Sequence, residues 1–240
     1  MRSDEFTKMR ALQDAHWWFD GRRYLLRSLV RKLALGNSLI LDAGCGTSFA
    51  HHELREAGTV ISLDNSPEAF IDRQNDLLAC LARLEQSPFP DGIFDLIVAL
   101  DLLEHLDDDH QALVEAYRVC RTGGYLFVTV PAYQWAWSHH DEVLGHRRRY
   151  SAHTLGCTVQ KAGFVICCSS YFVSSVFVPA LLYRIIRQRF AKPEDASDLA
   201  PVPAPLNHLL RLCMRIEAHL ALGIGLPFGL SVCLLAQKRS

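Results

Sequence analysis

The stretch LDAGCGTS, residues 41–48, carries the residues best suited to chemistry. Glycines directly after a buried strand let the backbone approach a ligand, and the helix that follows presents unpaired N–H groups. Asp42 precedes the loop. A second acid, Asp64, falls roughly twenty residues further on, the spacing at which a carboxylate takes ribose hydroxyls. A third acidic cluster, Asp101 with Glu104 and His105, follows another apolar run. A glycine turn alone needs small residues for its own geometry. The three acids point to an anionic or zwitterionic ligand with a ribose. Glu104 and His105 keep two readings, a site pair or a cap for the next helix, whose start is crowded by Asp107, Asp108 and Asp109.

Such residues need elements that bring them to one edge. Residues 4–35 read as helical, with Trp17, Trp18, Tyr24, Leu25, Leu29 and Leu33 as apolar positions and Gly36-Asn37 as the stop. Ser38 to Asp42 reads as a buried strand, followed by a helix through Ala57 and a second strand from Thr59 to Asp64. Ser66-Pro67-Glu68 opens a helix. A weak strand near 77–84 and a clear one from Phe94 to Ala99 follow. A helix from Asp109 to Arg121 is closed by Gly123-Gly124, and Tyr125 to Val130 is the fifth strand. Residues 151–162 read as a helix, Phe164 to Tyr171 as a strand and Gly229 to Ala236 as the last strand. Alternating strands and helices predict a parallel sheet with helices on both faces. Its ligand would sit at the carboxyl ends of the strands, where Asp42, Asp64 and Asp101 fall.

Composition narrows the classes. In 240 residues, 25 Lys plus Arg oppose 26 Asp plus Glu, a balance that argues against a duplex-binding module. No apolar run reaches the ~18–20 residues a spanning helix needs. The eight cysteines form no CxxC pair and mostly sit in apolar runs, which excludes a disulfide scaffold and a structural zinc site. The charged start, MRSDEFTKMR, lacks the apolar core of a signal peptide, so the expected location is cytoplasmic.

Taken jointly, LDAGCGTS (41–48), SLDNSPEA (62–69), PFPDGIFDLIVALDLLEHL (88–106) and CRTGGYLFVTVP (120–131) make the chain resemble a class I S-adenosylmethionine-dependent methyltransferase of the type-11 group. The resemblance implies a Rossmann-like, doubly wound, seven-stranded, mostly parallel sheet. Its last strand is antiparallel, with a helical insertion before it. It implies S-adenosylmethionine as cofactor and S-adenosylhomocysteine as product. Asp42, Gly44, Cys45 and Gly46 would line the methionine half, Asp64 would take the ribose hydroxyls, and Asn65 would lie under the adenine. Asp101 and Leu102 would close over the cofactor, and Leu84 would offer a backbone N–H. Two positions depart from the family pattern. Ser48 stands where a third glycine is common, and Arg83 stands where an acid usually binds the adenine amine.

His16-Trp17-Trp18-Phe19 with Arg22-Arg23 resembles an HWWF-x-x-RR subgroup of these enzymes, in which the N-terminal helix forms a lid. One of the two arginines, assigned as Arg23, would pair with the cofactor carboxylate. The alternative is core tryptophans flanked by solvated arginines. On the acceptor side, residues 131–150 offer His139, His140 and His146 as candidate general bases, with His146 favoured. Trp17, Trp18, His105, Tyr133, Trp137 and Tyr150 are the candidate acceptor walls. Asp141 with two histidines suits a divalent metal, but its other reading is an ion pair with Arg147 or Arg148, and no metal ligand is assigned.

The expected organisation is a lid over 1–37, a core over 38–172 and 227–240, and a helical insertion over 173–226. That insertion is apolar and basic. It could be a cap on the core, a membrane-surface contact at the inner face or a homodimer contact. The expected function is methyl transfer to a small-molecule or lipid-linked acceptor, at oxygen, in secondary-metabolite, glycolipid or polysaccharide synthesis, with no nucleic acid partner. The rival readings are a nicotinamide oxidoreductase, disfavoured because GCGTS lacks the GxGxxG spacing, and a non-catalytic scaffold or membrane-associated accessory protein that keeps the cofactor fold.

Overall fold

The computed structural model describes residues 3–71, 78–182 and 202–239, with side chains from Phe6 onward. Seven strands form one sheet in the order β3-β2-β1-β4-β5-β7-β6. They are β1 (Ser38–Ala43), β2 (Gly58–Asp64), β3 (Leu78–Leu81), β4 (Phe94–Leu100), β5 (Cys120–Pro131), β6 (Val165–Phe172) and β7 (Ser231–Gln237). β1 pairs in parallel with β2 and β4, β2 with β3 and β4 with β5, whereas β7 runs antiparallel between β5 and β6. The central strands are apolar on both faces because helices cover both. One core joins Leu41, Ile97 and Val128 to α4 (Asp109–Val119) and α6 (Ala152–Lys161). The other joins Ile40, Val98 and Phe127 to α2 (Trp17–Leu33), α3 (His51–Arg55) and α7 (Ala204–Gly223).

The N-terminal helix is broken, not continuous. α1 spans Ser3–Leu12, and α2 restarts where the His16 side chain accepts the Trp18 N–H. α4 ends earlier than the glycine pair implies. Its last carbonyls are taken by the turn ahead of β4, with Gly92 N–H on Arg118 O at 3.0 Å and Ile93 N–H on Val119 O at 2.9 Å. The chain therefore enters β5 at Cys120. Ser66 does not cap a helix through its side chain, and Pro67–Phe70 is one 3-10 turn. The helix placed through Ala57 is confined to α3.

Within the insertion, residues 177–182 are helical and 183–201 lie outside the described residues, so the Pro201 part of its proline-rich middle is not described. α7 packs along α2. Asn207 holds Trp17 N–H at 2.9 Å and donates to Ala15 O at 2.8 Å, and Glu217 accepts the Ser174 and Ser175 N–H groups at 2.7 Å each. Among the described residues no helix is long and apolar enough to cross a membrane.

Candidate cofactor and acceptor site

β1 delivers the chain into the glycine loop at the switch point between β1 and β4. Gly44 (φ +69°) and Gly46 (φ +50°) take the left-handed region that other residues avoid. Gly44 and Cys45 donate to Leu63 O at 2.8 and 3.1 Å, which fastens the loop to β2. A side chain at Gly44 would place its Cβ 2.7 Å from Leu102 Cδ1, so glycine is what allows this loop to meet the turn after β4. Asp64 ends β2. Its Oδ2 accepts Gly46 N–H and its Oδ1 accepts Ser66 N–H, both at 2.9 Å.

A cleft opens here, and its walls include Gly44, Asp64, Asn65, Leu84 and Leu102. Asp42 and Cys45 are buried beside it. Phe6 of α1 packs on Cys45 and Ala69, so the first helix lies against the loop. Arg83 lines the cleft, but so does Glu85, and the two pair at 2.7 Å. Arg83 thus stands at position 83 as the sequence has it, and a carboxylate lies two residues on, ahead of the Pro-Phe-Pro turn.

The arginines divide the work differently from the assignment. Arg23 donates to Gln13 O at 2.7 Å and to Asp14 O at 3.4 Å, bracing the corner between α1 and α2. Arg22 is the buried one. It pairs with Asp101 and donates to Thr129 Oγ1 at 2.7 Å. Its guanidinium lies over Trp18 and Phe49, 5.4 and 5.6 Å from the ring centres. Asp101 has a left-handed backbone (φ +50°), and Thr129 Oγ1 donates to its Oδ1 at 3.0 Å. This cluster joins α2 to the ends of β4 and β5. Trp17 and Trp18 meet edge to face and are half-buried.

Residues 131–150 are organised by Asp141, which is fully buried in α5 (His139–Leu144). Arg149 grips it with two hydrogen bonds of 2.7 and 2.9 Å, Ser138 N–H donates to it at 2.8 Å, and His146 Nδ1 lies 2.8 Å from its Oδ1. Burial alone would raise its pKa. The bonds from His146 and Arg149 outweigh burial and hold the carboxyl far below the usual range. The partner is therefore Arg149. Arg147 pairs with Asp107 at 2.6 Å and Arg148 with Asp109 at 3.0 Å instead.

His146 is held by the buried carboxylate of Asp141. His139 is turned to Glu142 at 3.1 Å near the surface, and His140 stands edge-on to His146. His105 packs against His146, and burial followed by that neighbour lowers its pKa to about 4. Glu104 is fully buried, and burial followed by Asp101 raises its pKa well above the ordinary value. It is not the cap of α4; Asp108 is, accepting Gln111 N–H at 2.9 Å. Tyr150 is also buried. Its hydroxyl donates to Asp109 at 2.6 Å, so it braces the turn rather than forming an open wall. Tyr133 stacks between Trp135 and Tyr171, with Phe177 edge-on, while Trp137 is half-buried nearby in sequence.

Residues 41–128 match the family described as Methyltransferase domain; the HWWF segment lies ahead of that match. A malonyl-(acyl-carrier protein) O-methyltransferase of Serratia marcescens is 37% identical over 111 residues, which cover 42% of this chain and 44% of that protein. A protein of Mycolicibacterium smegmatis described as a probable S-adenosylmethionine-dependent methyltransferase is 28% identical over 162 residues, covering 65% of this chain and 62% of its own length. The chain thus spans about half to three-fifths of these curated relatives. Among solved structures, an S-adenosylmethionine-dependent methyltransferase of Thermotoga maritima superposes with a TM-score of 0.60 at 21% identity, covering 99% of this chain and 100% of that one. A Haloferax volcanii methyltransferase described in complex with the Trm112 activator gives 0.64 at 17% identity, covering 99% and 95%. Residues 41–128 thus carry the match to a methyltransferase domain, and the seven-stranded order is the fold of the solved methyltransferases on which the chain superposes.

Proposed function

We propose that this chain transfers a methyl group from S-adenosylmethionine to an oxygen of a small or lipid-like acceptor. The observation that carries the reading is the adjacency of two built sites. The glycine loop and Asp64 cleft lies on one side of the turn after β4, through Leu102. The Asp141–His146 pair lies on the other, through His105.

The cleft fits the cofactor. Asp64 spends one lone pair of each oxygen on backbone N–H groups and keeps further acceptor capacity for two hydroxyls. Glu85 gives the far wall an acceptor for an amine. When bound, the cofactor supplies an electrophilic methyl on a sulfonium. The chain's share is to hold the acceptor in line and to exclude water. Arg22 fixes Asp101 at the strand ends, and the Tyr133 stack offers an apolar, aromatic wall for the acceptor. His146 acts at the acceptor oxygen, with Asp141 setting its ring orientation and tautomer. The Serratia relative's name, an O-methyltransferase, supports oxygen as the methylated atom.

Calorimetric titration with S-adenosylhomocysteine tests the cofactor half. Binding by the wild type that Asp64→Ala abolishes is the expected result. A folded wild type that takes up none overturns the proposal.

A further inference from the structure

Glu104, His105 and His146 come together at one point. A carboxylate oxygen and two imidazole nitrogens, one ligand atom from each, lie within 4.8 Å of one another. Glu104 is fully buried, and its two carboxylate oxygens meet no hydrogen-bonding group of another described residue. A buried carboxylate in that state is costly unless a cation or a proton neutralises it. The two imidazoles cross edge to face with centres 4.7 Å apart. His146 has its Nδ1 on Asp141, so Nε2 is the nitrogen left for a ligand. A carboxylate behind an imidazole is the usual outer support of a metal-binding histidine, because it fixes the ring and strengthens the opposite nitrogen as a donor. Here that support is itself anchored, since Arg149 and Ser138 hold Asp141.

We propose that Glu104, His105 and His146 bind one divalent transition-metal ion of the zinc, manganese, iron or cobalt class. Two imidazoles with one carboxylate suit these ions, whereas calcium and magnesium prefer oxygen alone. Ligand distances of about 2.0–2.2 Å place ligand atoms roughly 3–3.5 Å apart, so the trio closes by up to about 1.8 Å around the ion. His105, half-buried on its short 3-10 turn, supplies that movement. Three protein ligands leave a position open. An acceptor hydroxyl bound there would give up its proton to solvent more readily, and His146 would act by holding the ion. Only this last role rests on the methyl-transfer reading; the ion site does not.

The test uses the full chain, stripped with chelator, dialysed and titrated with Zn²⁺ or Co²⁺ alone. Calorimetry reads affinity, and the visible spectrum reads Co²⁺ coordination. One equivalent should bind. Glu104→Gln and His105→Asn should each weaken binding at least about 10-fold, and Asp141→Asn by about 10–100-fold. His110→Asn, at an exposed histidine outside the trio, should change nothing. Circular dichroism checks folding, and the near-isosteric Glu104→Gln carries the test if Asp141→Asn unfolds. No stoichiometric binding by the wild type, or equal binding by Glu104→Gln and His105→Asn, overturns the site. S-adenosylhomocysteine titrated into the same samples separates the two proposals. Nucleoside binding without metal sinks the ion site alone, and metal without nucleoside binding sinks methyl transfer alone.

Discussion

Asp64 and Glu85 carry the negative charge on the cleft walls, and they differ in how they are held. Asp64 is fixed by two backbone N–H groups, whereas Glu85 is paired with an Arg83 side chain that is 50% exposed. An exposed pair contributes little by itself, so the value of Glu85 lies in what it offers the cleft. Glu85→Ala should therefore weaken S-adenosylhomocysteine binding about 10-fold, the roughly 1–1.5 kcal/mol of one hydrogen bond. Arg83→Ala should leave it within about twofold. Equal losses in calorimetry would show that the pair, not the acid, builds the wall. The acids at strand ends were legible in the sequence, because a short apolar run, a glycine turn and a carboxylate place one another locally. Arg22 on Asp101 was not, since the two stand 79 residues apart and meet only through the packing of α2 on the sheet. Nor was the choice of Arg149 for Asp141. In a run of adjacent basic residues, nothing local marks the one that turns inward; the bridge between Ala132 and Tyr150 decides it.

Elements place these residues by contact as much as by period. Gly21 lies inside α2, where glycine weakens a helix, yet the helix tolerates it because α7 presses there. A Cβ at Gly21 would come within 2.5 Å of Met214 Cε and 2.7 Å of its Cβ. Gly21→Ala gains helix propensity but overpacks that seam, and the second effect wins. It should destabilise by about 1–3 kcal/mol, read as a lowered urea midpoint at unchanged slope. A midpoint that rises would mean that the two helices are not seated as closely as described. The sequence marked both helices by their apolar faces, but it left the break between α1 and α2 unseen. Hydropathy runs on through that corner, and what stops the helix is the His16 cap together with Arg23 on the Gln13 and Asp14 carbonyls. The end of α4 escaped for a similar reason, because its carbonyls are satisfied from another segment rather than by a glycine cap.

At the scale of the molecule, α2 and α7 pack against the same face of the sheet. This joins the two stretches of chain least constrained by the strand order. Asp20 is central to that clasp, with Arg211 at 2.8 Å and Arg215 at 3.4 Å, about 190 residues away along the chain. Burial raises the pKa of Asp20, but the hydrogen bond and charge of Arg211, then Arg215 and Arg23, outweigh it and hold the carboxyl below 3.8. A pKa lower in the folded state than in the unfolded one means that the unfolded chain binds the proton more readily. The clasp therefore contributes its stability in full above the unfolded value and loses it as pH falls through the folded one. Asp20→Asn should lower stability at neutral pH by up to about 1 kcal/mol, since the pair is partly exposed. The gap between wild type and variant should close as pH is lowered from about 5 to about 2, because protonated aspartic acid and asparagine then carry the same charge. A gap that stays constant across that range would assign the clasp to the packing of α2 on α7, with the ion pairs as passengers on it.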